Sequence, residues 1–310
     1  MNSPKLNPYI ILLIGVISIS TSAIFVKLAS APSGIIAFYR LFFTVLFMLP
    51  LFVWKYISEL KLISKKDWFF SILSGVFLAF HFILWFESLR FTSVASSTVL
   101  VTLQPLFAFV GSYLFFKEVI SGKALLSCML AIGGSVIISW GDFYVSGTAL
   151  YGDLLALIAC ALVTIYFMFG QTVRKRISLI TYTFVVYFIS TVTLLIYVLL
   201  KGEPLFSYSS KDWIYFILLA IFPTLLGHSL FNWSLKWLNT STISMAVLLE
   251  PVGAGILAYF LLQETITWTQ ALGSIIVISG IMFFLVDEKK TKMKSSSINN
   301  NLISTERKQP

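Results

Sequence analysis

Six polar or ionisable side chains lie inside stretches that are otherwise apolar, and their spacing suggests what they could do. Glu250 precedes Pro251 in the middle of the run from Thr240 to Leu262, and Gln104 precedes Pro105 146 residues earlier. A carboxylate at the centre of a lipid-length segment costs free energy unless it faces a cavity or a partner. A proline there frees backbone groups that must be satisfied in turn. Glu250 can bind an amine, or take up and release a proton. Gln104, at the same depth, can hydrogen-bond a solute or tie two helices together. His81 and His228 occupy comparable places, one residue out of repeat register. Imidazole changes charge close to neutral pH and could shuttle protons; a neutral histidine bonded to a neighbouring helix is the plainer alternative. Asn232 follows His228 by one turn on the same helix face. Arg40 lies about two turns inside its segment, where it could hold a carboxylate or reach out to the interface.

The elements that must position these residues are membrane helices. The chain has 310 residues, of which 58% are hydrophobic and only 11% charged. Runs of about 20 apolar residues are what cross a bilayer core. Ten such runs are predicted, at 9–28, 34–53, 68–89, 93–116, 123–140, 151–170, 179–200, 213–234, 240–262 and 268–286, with longer connections at 54–67 and 201–212. Residues 1–8 form a short N-terminal segment, and 287–310 read as a basic, disordered cytoplasmic tail, too polar to pack. Lysine and arginine fall seventeen on one side of the alternation and five on the other. That bias places both termini in the cytoplasm and the chain in the cytoplasmic membrane. It also accounts for the net charge of +9 without a nucleic-acid partner.

Residues 88–138 and 234–284 align at an offset of 146 with twelve identities, among them Pro105 with Pro251, Glu118 with Glu264 and Gly134 with Gly280. Asp67-Trp68 matches Asp212-Trp213 at an offset of 145. The two halves, 9–140 and 151–286, hold five predicted helices each. An odd number inverts the second half relative to the first. The fold class is therefore all-α and integral to the membrane, with ten helices as two inverted repeats. Carriers built this way place their site near the midplane at the repeat interface.

The repeated Pro–Glu–Gly spacing, Leu249-Glu250-Pro251 in the ninth helix, and Phe38-Tyr39-Arg40 near the start of the second resemble the EamA-type family of the drug/metabolite transporter superfamily. The resemblance covers about residues 9–286. It implies a secondary carrier of the cytoplasmic membrane that exports amino acids or other small metabolites by alternating access. In that pattern Glu118 and Glu264 are architectural. The first half carries Gln104 where the second carries Glu250, so a symmetric acidic pair is absent. A proton is the coupling ion that Glu250 and the histidines suggest.

Other classes fit less well. An integral membrane enzyme needs a convergent nucleophile, base or metal set, and a lipid-moving protein needs no polar midplane pair. Two cysteines, Cys128 and Cys160, and two histidines form no metal-ligand pattern. There is no phosphate loop for ATP. No cofactor is expected, and the partner is a small-molecule metabolite. An uptake carrier or an exchanger is equally compatible with these residues.

Overall fold

The computed structural model describes residues 6–92, 94–138, 140, 147–263 and 265–306; Glu264 lies outside them. The described secondary structure is entirely helical. Its spans are α1 (Pro8–Leu28), α2 (Ser33–Leu62), α3 (Lys65–Ser88), α4 (Ser96–Phe116), α5 (Gly122–Ile138), α6 (Gly147–Val173), α7 (Leu179–Lys201), α8 (Ser210–Ser234), α9 (Thr240–Leu261) and α10 (Trp268–Glu288). Among the described residues nine of these are long and apolar enough to cross a membrane, and α5 is a shorter apolar helix. This is a multi-pass membrane protein. The last helix runs on to Glu306, beyond the end that composition predicts at 286. The expected long connection at 54–67 is also mostly helical: past Pro50, α2 loosens into a π-turn and then a 3-10 stretch that ends at Leu62.

Local chemistry sets the helix ends. Ser64, Ser178, Ser209 and Asn239 each accept a hydrogen bond from the backbone N–H three residues on, which satisfies one orphan donor per helix. Lys117 and Gln263, 146 residues apart, close their helices in the same left-handed conformation, each with φ 56°. Trp54, Trp140 and Trp268 are exposed near span ends, where an indole suits the headgroup region.

Three spans are each broken into two helices. α4 and α9 each break before the polar-proline pair, into Val94–Val101 and Gln104–Phe116, and into Thr240–Val247 and Glu250–Leu262. α1 breaks between Ile19 and Ser22 without a proline; there the hydroxyls of Ser20 and Thr21 donate to the carbonyls of Val16 and Ser18. In addition, α8 contains a π-turn over Ala220–His228, around Pro223. Thr224 and Ser229 donate to carbonyls five residues back, Leu219 and Thr224, as that wider register requires. The π-turn carries one extra residue. It lies where the repeat offset changes from 145 at Asp212 to 146 at Ser234.

Tyr9 at the start of α1 donates to Glu288 at the end of α10, 3.3 Å away. The two ends of the bundle therefore share a face, called here the terminal face. The halves join along α5 and α10, and the joint is reciprocal. A Cβ on Gly134 would come within 2.7 Å of Val277 N and 2.8 Å of Gly273 O. A Cβ on its mate Gly280 would come within 2.8 Å of Ala131 N and Ser127 O. Residues 127 and 131 are the mates of 273 and 277, so the contact obeys a two-fold axis in the plane of the membrane. Because the obstruction is backbone, Gly134→Ala is expected to cost about 1–3 kcal/mol. Thermal unfolding in detergent checks this, and Gly133→Ala, with nothing within 4 Å of its Cβ, is the neutral control.

The Asp pair shows the same reciprocity. Asp67, in the first turn of α3, is bonded to Arg176 in the α6–α7 turn. Asp212, capping α8, accepts from the backbone and hydroxyl of Ser30 in the α1–α2 turn at 2.7 and 2.9 Å. On the opposite face, burial and the nearby Glu87 raise the pKa of the Glu203 carboxyl above its ordinary value. A carboxyl with a raised folded-state pKa destabilises the fold once ionised, so this penalty is absent at low pH and grows as pH rises above the unfolded value. Glu203→Gln should therefore raise the melting temperature at pH 7 and change little at pH 4, read by a thermal-shift series.

Candidate functional site

Gln104 and Glu250 are each the first residue of a half-helix, with proline second, where its missing N–H costs nothing. The two half-helices run in opposite directions. Their N-terminal ends, each with partial positive charge, meet midway along the bundle. There they border a small cavity of about 10 Å³, room for roughly one water molecule. Every residue lining it is buried.

The wall is made of repeat mates. Val101 faces the cavity with Val247, Gln104 with Glu250, and Trp85 with Phe231, each pair 146 residues apart. His81 and His228 complete the set, their ring centroids 6.5 Å apart. Ile19 at the break in α1, with Val163 and Phe167 of α6, closes the remaining sides. The cavity thus lies on the two-fold axis and takes residues from both halves.

Its polar atoms are largely unsatisfied. Glu250 Oε1, Gln104 Oε1, His228 Nδ1 and Trp85 Nε1 are buried with no hydrogen-bond partner among the described residues. Gln104 Nε2 makes one long bond, 3.5 Å, to the carbonyl of Val101. Buried polar groups are nearly always paired, and leaving one unpaired costs about 1–3 kcal/mol. Four such atoms around one small cavity mark a place where a polar solute gains bonds that the protein itself does not supply. His81 is different: its Nδ1 is bonded to the carbonyl of Ala159 at 2.9 Å, which fixes the ring between α3 and α6.

Arg40 is completely buried and does not reach the interface. Its Nε donates to Thr224 in the π-turn of α8 (2.7 Å) and one amino group to Ser22 just past the break in α1 (2.9 Å). The guanidinium lies 4.2 Å from the centre of the Phe82 ring, while its Nη2 has no partner among the described residues. It stands beside the cavity wall without lining it. On the face away from the chain ends, a recess of about 400 Å³ is bordered by Ile36, one turn from Arg40, and by Phe86, whose ring centre is 5.9 Å from the guanidinium. Lys27 and Arg90 sit at its rim.

Asn232, expected on the same path as His228, turns aside. Its Nδ2 donates to the carbonyl of His228 (2.7 Å) and to the hydroxyl of Tyr166, so it belongs to a buried cluster with Tyr166 behind the cavity wall. Spacing alone places it one turn from His228; the amide folds back along its own helix. Residues that the sequence did not single out are Ser22, Thr224 and Tyr166. Hydroxyls on membrane helices are too common to stand out, and only the break in α1 and the π-turn bring the first two to Arg40.

Among the described residues no group of three or more His, Cys, Asp or Glu could hold a metal ion.

Comparison with known proteins agrees with this architecture. A chain of known crystal structure superposes with a TM-score of 0.74 over 92% of this chain and 98% of that one, at 16% identity, a likeness of fold. A protein of Archaeoglobus fulgidus named "uncharacterized transporter" is 24% identical over 274 residues, 87% of this chain and 93% of its own. The "uncharacterized transporter YdfC" of Bacillus subtilis is 24% identical over 238 residues, 76% of this chain and 77% of its own. The description of the EamA-like transporter family matches residues 6–140 and 150–286, one match to each half. With both repeats matched and a polar cavity on the axis between them, the chain belongs to the EamA-like transporter family.

Proposed function

We propose that this protein is a secondary active carrier that exports a small polar metabolite, of the size and polarity of an amino acid, by alternating access, with proton movement coupled through Glu250. The observation that carries the proposal is the buried axial cavity, walled by repeat mates, with unpaired atoms on Glu250, Gln104, His228 and Trp85. A site on the axis of two inverted halves is reached from one face or the other according to which half tilts. In this reading the cavity, which here has room for about one water molecule, widens to admit the solute. The terminal face is cytoplasmic, as the excess of lysine and arginine there indicates, and substrate leaves through the recess beside Phe86.

Within the cavity, Glu250 takes the cationic or proton-bearing end of the solute, and Gln104 and His228 supply further hydrogen bonds. Arg40, with one unpaired donor, draws an anionic end toward the gap between α1 and α8. Counterflow in proteoliposomes, against a panel of amino acids, nucleotides and cationic drugs, tests the proposal. Accumulation of at least one labelled small metabolite is expected. Activity on a labelled compound without vectorial movement would instead favour an enzyme, and lipid flipping that survives replacement of Glu250 would favour a lipid-moving protein.

A further inference from the structure

Glu118 ends α4 on the terminal face, one residue past the left-handed cap at Lys117. One carboxylate oxygen accepts from Gln171 Nε2 of α6 (3.2 Å), and the other accepts from Asn239 Nδ2 at the start of α9 (2.9 Å). Gln171 Oε1 in turn accepts from the backbone and hydroxyl of Thr240, at 2.6 and 2.7 Å. One layer deeper, the hydroxyls of Ser112 on α4 and Ser241 on α9 are bonded at 3.0 Å. The second half of α4 is thus stitched to the first half of α9. Both segments run from this seam to the breaks that hold Gln104 and Glu250.

Part of the seam has no polar counterpart in the sequence of the other half. The repeat mates of Ser112 and Ser241 are Ala258 and Ala95, and at the offset of 145 that holds before Asp212 the mate of Gln171 is Val26; none of these has a side-chain donor or acceptor. Among the described residues α4 is tied on the opposite face from Ser96 to Asp153 of α6 at 3.2 Å. The two-fold symmetry that governs the backbone is therefore not kept by the side chains at 112, 171 and 241.

From this we infer that Glu118, Gln171 and Asn239, with the Ser112–Ser241 bond beneath them, are the gate on the terminal face, a positioning set that decides how readily the cavity opens to that side. The inference rests on the alternating-access reading above. A half-helix that already breaks midway along its span can swing at the break without bending a continuous hydrogen-bond ladder. Opening this face requires the α4–α9 seam to part, and the seam is polar.

The test reads accessibility from each side. In full-length protein with Cys128 and Cys160 replaced by alanine, Val247→Cys places the only thiol on the cavity wall. A membrane-impermeant maleimide is applied to right-side-out and to inside-out vesicles in turn. Asn239→Ala should speed labelling from the terminal face about tenfold, the population shift expected from losing one charge-assisted hydrogen bond, and separately Ser112→Ala with Ser241→Ala, which removes a neutral bond, should speed it about fivefold. Labelling from the other face should not rise. The alanine pair copies residues that the opposite half already carries, which keeps the test usable if Asn239→Ala fails to fold. Equal rises from both faces, or no rise in variants with unchanged thermal stability, would overturn the gate. Counterflow that is absent even from unaltered protein would count against the carrier reading while leaving a one-sided labelling response in place.

Discussion

Glu250→Gln should lower counterflow by about a hundredfold and flatten its dependence on pH between 5.5 and 8. Glutamine keeps the shape and hydrogen-bonding reach of the side chain and removes its charge and its titration. One charge-assisted bond in a buried site is worth about 1.5–3 kcal/mol, and the upper end corresponds to that loss in rate. Misfolding is a poor explanation for such an effect here. The repeat mate of Glu250 is Gln104, which occupies the matching place at the head of a half-helix, so the fold already accepts an amide in this environment. Unchanged transport and an unchanged pH profile in the variant would remove Glu250 from the mechanism. The double variant Glu250→Gln with Gln104→Glu moves the carboxylate to the other half and asks whether position or presence matters.

Arg40→Lys is expected to cost about 2–3 kcal/mol of stability and to slow transport by tenfold or more. The guanidinium spans two partners on different helices, Ser22 and Thr224, while lying over the Phe82 ring and keeping one donor unused. An ammonium is a compact point charge and cannot reproduce that fork. Arg40→Met separates support from recognition. Removing a buried charge altogether can leave stability unchanged or improve it, so a methionine variant that melts normally but no longer carries substrate shows that the cation serves the solute. A methionine variant that transports normally would reduce Arg40 to a tie between α1, α2 and α8. Melting temperature and counterflow measured on the same preparations decide between them.

The parts legible in the sequence were those that cost free energy in lipid. Glu250 and Gln104 stand out because a polar side chain before a proline is hard to accommodate in hydrocarbon, and the same difficulty recurs 146 residues apart. The family and the helical fold followed from that repeat, and the comparisons show both. The structure brings Glu250, Gln104, His81 and His228 to one cavity and leaves Arg40 beside it and Asn232 behind it. What the sequence hid depends on local geometry without a marker residue. The break in α1 contains no proline, only Ser20 and Thr21 bonding back to their own helix. The π-turn in α8 shows in the sequence only as a change of one in the repeat offset. The Glu118 seam joins residues 53 and 121 positions apart, whose meeting is set by tertiary packing.

The reciprocal glycine joint between α5 and α10 has a further consequence. It is a single surface used twice, so two identical half-length chains inserted in opposite senses could in principle close through it as well. Such a pair would be obliged to place the same residue at both positions on the axis, setting two acids or two amides face to face. Covalent fusion lifts that obligation. It lets the first half keep glutamine at 104 while the second holds glutamate at 250, so that a single acid faces its amide mate across the symmetry axis.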